Sequence, residues 1–579
     1  MIRVRLLLLL TASLPVLFAQ TPSGQPQTAQ PPSPQCESAL CRLAASGRLS
    51  SLRWPDFSDY RTRIQSFYEP AGYALSWTHD GVATNQAQAV IEILEAAAAK
   101  GLNAEDYDGS RWAARLASLS RVDARPSEKD LDEFDLALTV SLMRYMSDLR
   151  LGRANPGLFR SQVDIETRKN DLPGFLRERV LSAPSVQDAL NELEPPYEGY
   201  RRTEQALQRY LALAREDHGD LLPVTEKPVD PGRPYSAVAQ LTDRLRRLGD
   251  LPEDQPVALE SGIYAGPLVD AVKHFQMRHG LDVDGRIGKA TLAQLNTPLI
   301  DRVRQLQLAL ERWRWVPRRF PRPPIVVNIP EFELRALDDS YKTELAMKVV
   351  VGIAYRHQTP VFMADMREVV FRPYWNVPLS IQRAELMPKL NKDASYLAAN
   401  LYEVVTPQGA VVTDGEVDKA TLAQLRAGKL HIRQIPGPKN ALGLVAFMFP
   451  NPYDVYLHST PATVLFARSR RDFSHGCIRA EKPEPLAEWV LSKQPGWTPQ
   501  RIAEAMNGDK TLHVALDQPI PVLIVYATAV VLDSGEVRFF QDIYGLDDEL
   551  AELLAKGYPY SSTAPSAATS GGLGPRPRE

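Results

Sequence analysis

The sequence predicts a multidomain α+β protein, on three observations. Apolar residues recur three and four apart through residues 50–225, three short amphipathic segments fill 235–297, and β-branched and aromatic runs broken by Pro and Gly take over from about 324. At 579 residues the chain is longer than one hydrophobic core usually serves. With 44% apolar and 24% charged residues it has the composition of folded globular protein. Sixty-seven basic against 70 acidic residues give a net charge of -3, so no global field points to nucleic acid or an anionic membrane.

At the N-terminus, MIRVR and the apolar run Leu6–Ala19 have the arrangement of a secretory signal peptide at 1–19, which predicts an exported, periplasmic protein. Pro15 and the shortness of the run make an uncleaved inner-membrane anchor the alternative. Pro, Gln, Ser and Thr dominate the next stretch, and 20–49 is expected to be a disordered linker. The helical scaffold expected at 50–225 is clearest in QAQAVIEILEAAAAKGL (86–102) and LDEFDLALTVSLMRYMSDLRLG (131–152), with Gly101 and Gly152 as stops.

In the second unit Val238, Leu241, Leu245 and Leu248 precede Gly249, and Leu268, Val272 and Phe275 precede Gly280. DVDGRIGKATLAQLN adds a turn and a third helix, so three helices around a small core are expected. The third unit, 324–545, reads as β-rich, with strands at PPIVVNIPEFELRAL, ELAMKVVVGI, REVVFRPYWNVP, LVAFMFP and DVYLHST and a hairpin turning at Asp533–Gly535. RAELMPKL, YLAAN and KATLAQLRAG interrupt it, predicting a helical insertion at about 380–430 of a length that often serves as a lid. The polar tail 560–579 is expected to be disordered.

Of three cysteines, Cys36 and Cys41 are close enough to form a small disulfide loop in an oxidising compartment, which leaves Cys477 odd. Cys477 lies in DFSHGCIRAEKPE, and two of the nine histidines, His458 and His475, fall within twenty residues of it. A thiol needs a neighbouring base to act as nucleophile near neutral pH. His458 ends a strand-like DVYLH, and the loop ARSRRDFSHG offers a way back to it, while Gly476 permits a tight turn whose N–H groups could face an oxyanion. A zinc site has suitable ligand types here but lacks a further ligand and the usual paired spacing. A buried structural thiol leaves the surrounding Ser474, His475 and Gly476 without a reason. Tyr374, Trp375 and Phe473 are candidates to line a cleft, against the plainer reading as core aromatics.

Two resemblances sharpen these readings. AVKHFQMRHGLDVDGRIGKATLAQLN (271–296) resembles the three-helix peptidoglycan-binding module, which implies a cell-wall partner and no catalysis. His458, a fifteen-residue spacer and SHGCIR (474–479) resemble the signature of the L,D-transpeptidase (YkuD) catalytic domain, with Arg479 where the family often has Asn, as in its large proteobacterial subfamily. LERWRWVP, YWNVPLSI, RQIPGPKNALGLVAFMFPN, DIYG, FYEPAGYALSW and DLRLGRANP extend that likeness over most of the chain. The resemblance implies Cys477 as nucleophile, His458 as base, a Ser459 carbonyl orienting the imidazole, and His475 and Gly476 shaping an oxyanion-binding loop. Tyr374, Trp375 and Arg479 are candidate substrate contacts, with capping or bracing of the loop as the alternative for Arg479 and Ser474. It further implies donor and acceptor stem peptides of peptidoglycan as partners, carbapenem-type inhibitors, no metal or organic cofactor, and cross-linking of third residues with release of D-alanine. The same fold could instead trim stems as an L,D-carboxypeptidase or detach a wall-bound protein, and a catalytically silent wall-binding scaffold is the reading from another class.

Overall fold

The computed structural model describes residues 36–120, 125–159, 171–354, 357–393 and 395–558. The expected signal peptide (1–19), the polar stretch 20–35 and the tail 560–579 lie outside the described residues. The expected linker extends too far: Ala39–Ser46 forms a helix, α1, capped by Ser38, and buries Leu40 and Ala44 in the core of the helical region. These residues are four apart and share a face, a signal lost when 36–49 is averaged with the polar stretch before it. Cys36 and Cys41 are joined by a disulfide, and Cys477 is free.

Helices α2 (Asn85–Glu95), capped by Thr84, and α3 (Glu128–Leu151), opened by a reciprocal Ser127–Asp130 capping box, run through the centre of this region. The middle of α3 is buried, so Asp135 must find its partners within the protein. Its carboxylate accepts from the Tyr68 hydroxyl at 2.7 Å and from the Ser76 and Trp77 N–H groups at 2.8 Å. Those donors all come from FYEPAGYALSW. After α4 (Glu198–Arg215), the second unit folds as α5 (Val238–Leu248), α6 (Pro267–Arg278) and α7 (Lys289–Leu295) around Leu241, Leu268, Val272, Phe275 and Leu292.

Helix α8 (Leu299–Arg314) then joins the units. Its fully buried Glu311 accepts from the Arg153 and Ala154 N–H groups at 2.6 and 2.8 Å, just beyond the end of α3. Its buried Arg314 donates to the Lys100 carbonyl and the Tyr200 hydroxyl. Two charges can be hidden here because each meets a partner at the end of a neighbouring element.

Period-two patterning builds the third unit. Its first strands are β1 (Ile325–Asn328), β2 (Glu333–Leu337), β3 (Thr343–Gly352) and β4 (Phe362–Phe371). The insertion comes next, with β5 (Trp375–Asn376), β6 (Tyr402–Val405), β7 (Val411–Thr413), helix α9 (Lys419–Ala427) and β8 (His431–Gln434). The chain returns through β9 (Val445–Met448), β10 (Leu457–His458), β11 (Asp472–Ser474), β12 (Ile478–Ala480) and β13 (Leu512–Val525). The main sheet has the order β11-β3-β12-β10-β9-β4-β13-β1-β2, and a further pairing of β2 with β3 closes it on itself. The insertion is more than helices: its strands form a sheet of order β7-β6-β8-β5, over which Leu386, Leu390, Leu397 and Leu425 make a separate core with Val404 and Ile432. The fully buried Asn440 holds its root, donating to the carbonyls of Pro373, Gln434 and Ile435.

The hairpin expected at Asp533–Gly535 forms, from β14 (Ala529–Val531) and β15 (Val537–Phe539). Its apolar side chains belong to the core of α5–α7, not to that of the sheet. Phe539 meets the rings of Tyr210 and His279 and lies under the Arg302 guanidinium, while Arg278 donates to the Val537 carbonyl. Helix α10 (Leu546–Ala555) completes the described chain. Among the described residues no helix is long and apolar enough to cross a membrane. Phe539→Ala is expected to remove about 3–5 kcal/mol of packing. The loss should appear in calorimetry as a lower melting temperature and in hydrogen exchange as weakened protection of α6.

Candidate active site

The site rests on a short parallel pairing. Strands β10 and β12 run side by side with Leu457 opposite Ile478 and His458 opposite Arg479, and the Ile478 N–H donates to the Tyr456 carbonyl at 3.0 Å. Alternation sends Leu457 and Ile478 into the fully buried core. Tyr456, His458, Cys477 and Arg479 therefore share the opposite face. Tyr456 and His458 lie ring to ring at 5.8 Å, and the thiol of Cys477 is half-buried, 3.6 Å from the Asp454 carbonyl.

His458 is itself buried, and its Nδ1–H donates to the Ser459 carbonyl at 2.5 Å. A carbonyl only accepts, so this bond puts the proton on Nδ1 and leaves Nε2 with its lone pair. Gly443 keeps Ser459 in place: its φ is +65°, and a Cβ there would stand 2.4 Å from Ser459 Oγ.

The loop before Cys477 is braced from several sides. Gly476 has a φ of +116°, a conformation side chains rarely adopt. The Ser474 hydroxyl donates to the Cys477 carbonyl at 2.5 Å and accepts from the Gly476 N–H at 3.1 Å. That N–H, expected from sequence to face an oxyanion, is thus engaged within the loop, because the turn brings it back onto Ser474. The Gly476 carbonyl accepts from Thr359 Oγ1 at 2.8 Å, and the Thr359 N–H donates to the Tyr544 hydroxyl at 3.2 Å. DIYG (542–545) therefore steadies the loop through one intermediary.

Electrostatics make the resting state neutral. Burial pushes the His458 pKa down to about 3, and the Arg479 guanidinium adds to the effect. Burial also raises the Cys477 thiol above its ordinary value, opposed by hydrogen bonds from the Tyr456 backbone and hydroxyl and by Arg479. A neutral imidazole and a neutral thiol thus share one face, with a cation across the strand pair from the imidazole.

The insertion contributes Tyr374 and Trp375, both named from the sequence, and Glu385, which is not. Trp375 on β5 favours ionisation of the Tyr456 hydroxyl, and Cys477 opposes it. Trp375 therefore acts on the site through Tyr456. Tyr374 lies 41% exposed beneath the Arg433 guanidinium at 4.3 Å, and Phe473 beneath Arg468 at 5.3 Å. His475 turns outward and its Nε2–H donates to Glu385 of the insertion at 2.5 Å. Sequence alone does not single out Tyr456, Thr359, Tyr544 or Glu385. Only Tyr456 carries a usable signal, since it lies two residues before His458 and alternation puts it on the same face. Among the described residues no three His, Cys, Asp or Glu side chains gather as a metal-holding group.

Comparison with known proteins agrees with this architecture. Residues 322–510 match the family model of the L,D-transpeptidase catalytic domain (YkuD), 234–295 match one described as "Putative peptidoglycan binding domain", and 62–207 match a scaffold domain. The chain thus carries an L,D-transpeptidase (YkuD) catalytic domain together with a peptidoglycan-binding domain and a scaffold domain. A Haemophilus influenzae protein named "Putative L,D-transpeptidase" is 34% identical over 226 residues, 39% of this chain and 45% of that relative. The matching region spans less than half of that relative's length.

The neutral pair can be probed in two ways. Iodoacetamide alkylation of Cys477 should keep climbing beyond the pH of about 8.5 at which an ordinary thiol is half ionised, whereas a rate that is flat down to about pH 5 would reveal an imidazolium–thiolate pair. Gly443→Ala must displace Ser459, so the Nδ1–H resonance of His458 should broaden or vanish in proton NMR.

Proposed function

We propose that the protein is a peptidoglycan L,D-transpeptidase in which Cys477 is the nucleophile and His458 the base. The observation that supports this reading is the shared face of β10 and β12, on which lie a half-buried thiol and an imidazole whose Nδ1–H is held by Ser459. Because both groups rest neutral, proton and sulfur move together. His458 Nε2 accepts the thiol proton as Sγ bonds to the carbonyl carbon of the third residue of a tetrapeptide stem. On collapse the bond to the terminal D-alanine breaks, and the proton passes from His458 to the departing amine. The thioester is then attacked by the side-chain amine of a second stem's third residue. That amine gives a proton to His458, the new amide forms, and the sulfur leaves as thiol with that proton.

The Tyr456 hydroxyl, which favours the thiolate, stabilises charge as it develops on sulfur. Arg479 Nε is buried and has no hydrogen-bond partner among the described residues, which suits it to a carboxylate of the stem. The signal-like start and the peptidoglycan-binding domain support a periplasmic, wall-associated protein. The joint presence of a wall-binding and a catalytic domain supports transfer between stems.

Purified protein incubated with tetrapeptide muropeptides should yield cross-linked dimers and D-alanine by mass spectrometry. Cys477→Ala should abolish both, and His458→Gln should slow acylation by at least about a hundredfold. Tripeptide without dimers would make the protein a hydrolase, and unchanged substrate would overturn the catalytic reading. Arg479→Ala is expected to raise KM more than it lowers kcat. A carbapenem should add covalently to Cys477 in intact-mass spectra.

A further inference from the structure

The insertion touches the surroundings of Cys477 from two directions. At its root, Trp375 favours ionisation of the Tyr456 hydroxyl. The other contact is made by Glu385, in a π-helical turn (Gln382–Leu386) well inside the insertion, to His475 at 2.5 Å. Single π turns interrupt helices at a cost and concentrate at functional positions.

This turn is fixed to the body of the insertion. The fully buried Gln382 side chain donates to the carbonyls of Leu425, at the end of α9, and Leu430, and accepts from the Ile432 N–H of β8. Wherever the insertion sits, Glu385 sits with it. On the other side, His475 belongs to the braced loop and lies next to Gly476, with the His357 ring 5.0 Å from its own. Tyr402 of the insertion also feels Glu385. The two partners are unlike the buried ion pairs that hold the domains together: their side chains are 34% and 42% exposed. A pair so open to water is cheap to break and to remake.

We propose that Glu385 is a positioning residue that latches the insertion to the nucleophile loop, so that docking of the insertion and the register of Gly476–Cys477 are one equilibrium. The inference rests on the reading of Cys477 as the nucleophile. With the latch made, the insertion and the loop are held to each other. With it broken, the π turn and the loop move independently, and substrate gains access to the face of β10 and β12. The incoming stem would therefore meet a site whose reactive geometry is completed from the insertion side.

The test uses the full chain and does not depend on transpeptidation. Hydrogen exchange of residues 379–392 and 474–480, and the rate of Cys477 alkylation by iodoacetamide, are measured in Glu385→Ala, His475→Ala, the double variant and Glu385→Gln. Glu385→Ala is expected to raise exchange in both segments and to quicken alkylation about fivefold, the size of effect that loss of one partly exposed pair allows. His475→Ala should match it, the double variant should add nothing further, and Glu385→Gln, which keeps an accepting oxygen at the same reach, should stay near the parent. Exchange confined to 379–392 with unchanged alkylation, or single effects that multiply in the double variant, would overturn the latch. Failure of the function itself is read separately, as absent cross-linking in a parent protein whose latch still behaves as described.

Discussion

Two residue pairs of parallel strand carry the site. Opposing Leu457 to Ile478 and His458 to Arg479 fixes which side chains face the core and which face away from it. A slip of one residue would bury Cys477 and expose Ile478, so the register is enforced by apolar packing as firmly as by hydrogen bonds. The rest of the third unit serves this pairing: Ala446 and Phe447 of β9 hold β10 from one side, and Val349 and Val350 of β3 hold β12 from the other. The closed sheet gives a short strand the rigidity that two residues alone lack.

The electrostatic character of the site arises from the same packing. Burial makes a charge on His458 or Cys477 expensive, and Arg479 adds to the cost on the imidazole while lowering it on sulfur. On the proposed reading, this asymmetry favours proton transfer at the moment of bond formation over a standing ion pair. On the same reading, Tyr456 eases charge on sulfur while one nitrogen of the His458 imidazole is tied to a carbonyl.

Much of this is legible in the sequence because local rules and global fold agree. The three-helix core, the hairpin turn at Asp533–Gly535 and the change from helical to strand periodicity near residue 324 are all short-range signals, and all are present in the structure. The proposed roles of Cys477 and His458 come from spacing and resemblance. What stays hidden is long-range. Thr359 meets Gly476 across 117 residues and Glu385 meets His475 across 90, and no local pattern distinguishes either from an ordinary polar residue. The sheet of the insertion is obscured by the helices around it, and α1 by the composition of its neighbours.

The hairpin β14–β15 carries a consequence for reach. Because Phe539 and its neighbours are built into the core of α5–α7, the module is not a weight on a string that samples wall at arm's length from the cleft. It is bolted to the catalytic unit through the same chain that runs out of β13, with α8 as a strut to the scaffold. On the proposed reading, a glycan strand gripped by the module would present its stems to Cys477 at a set distance and angle. The protein would work on the wall as a jig, with spacing decided by its frame and not by diffusion.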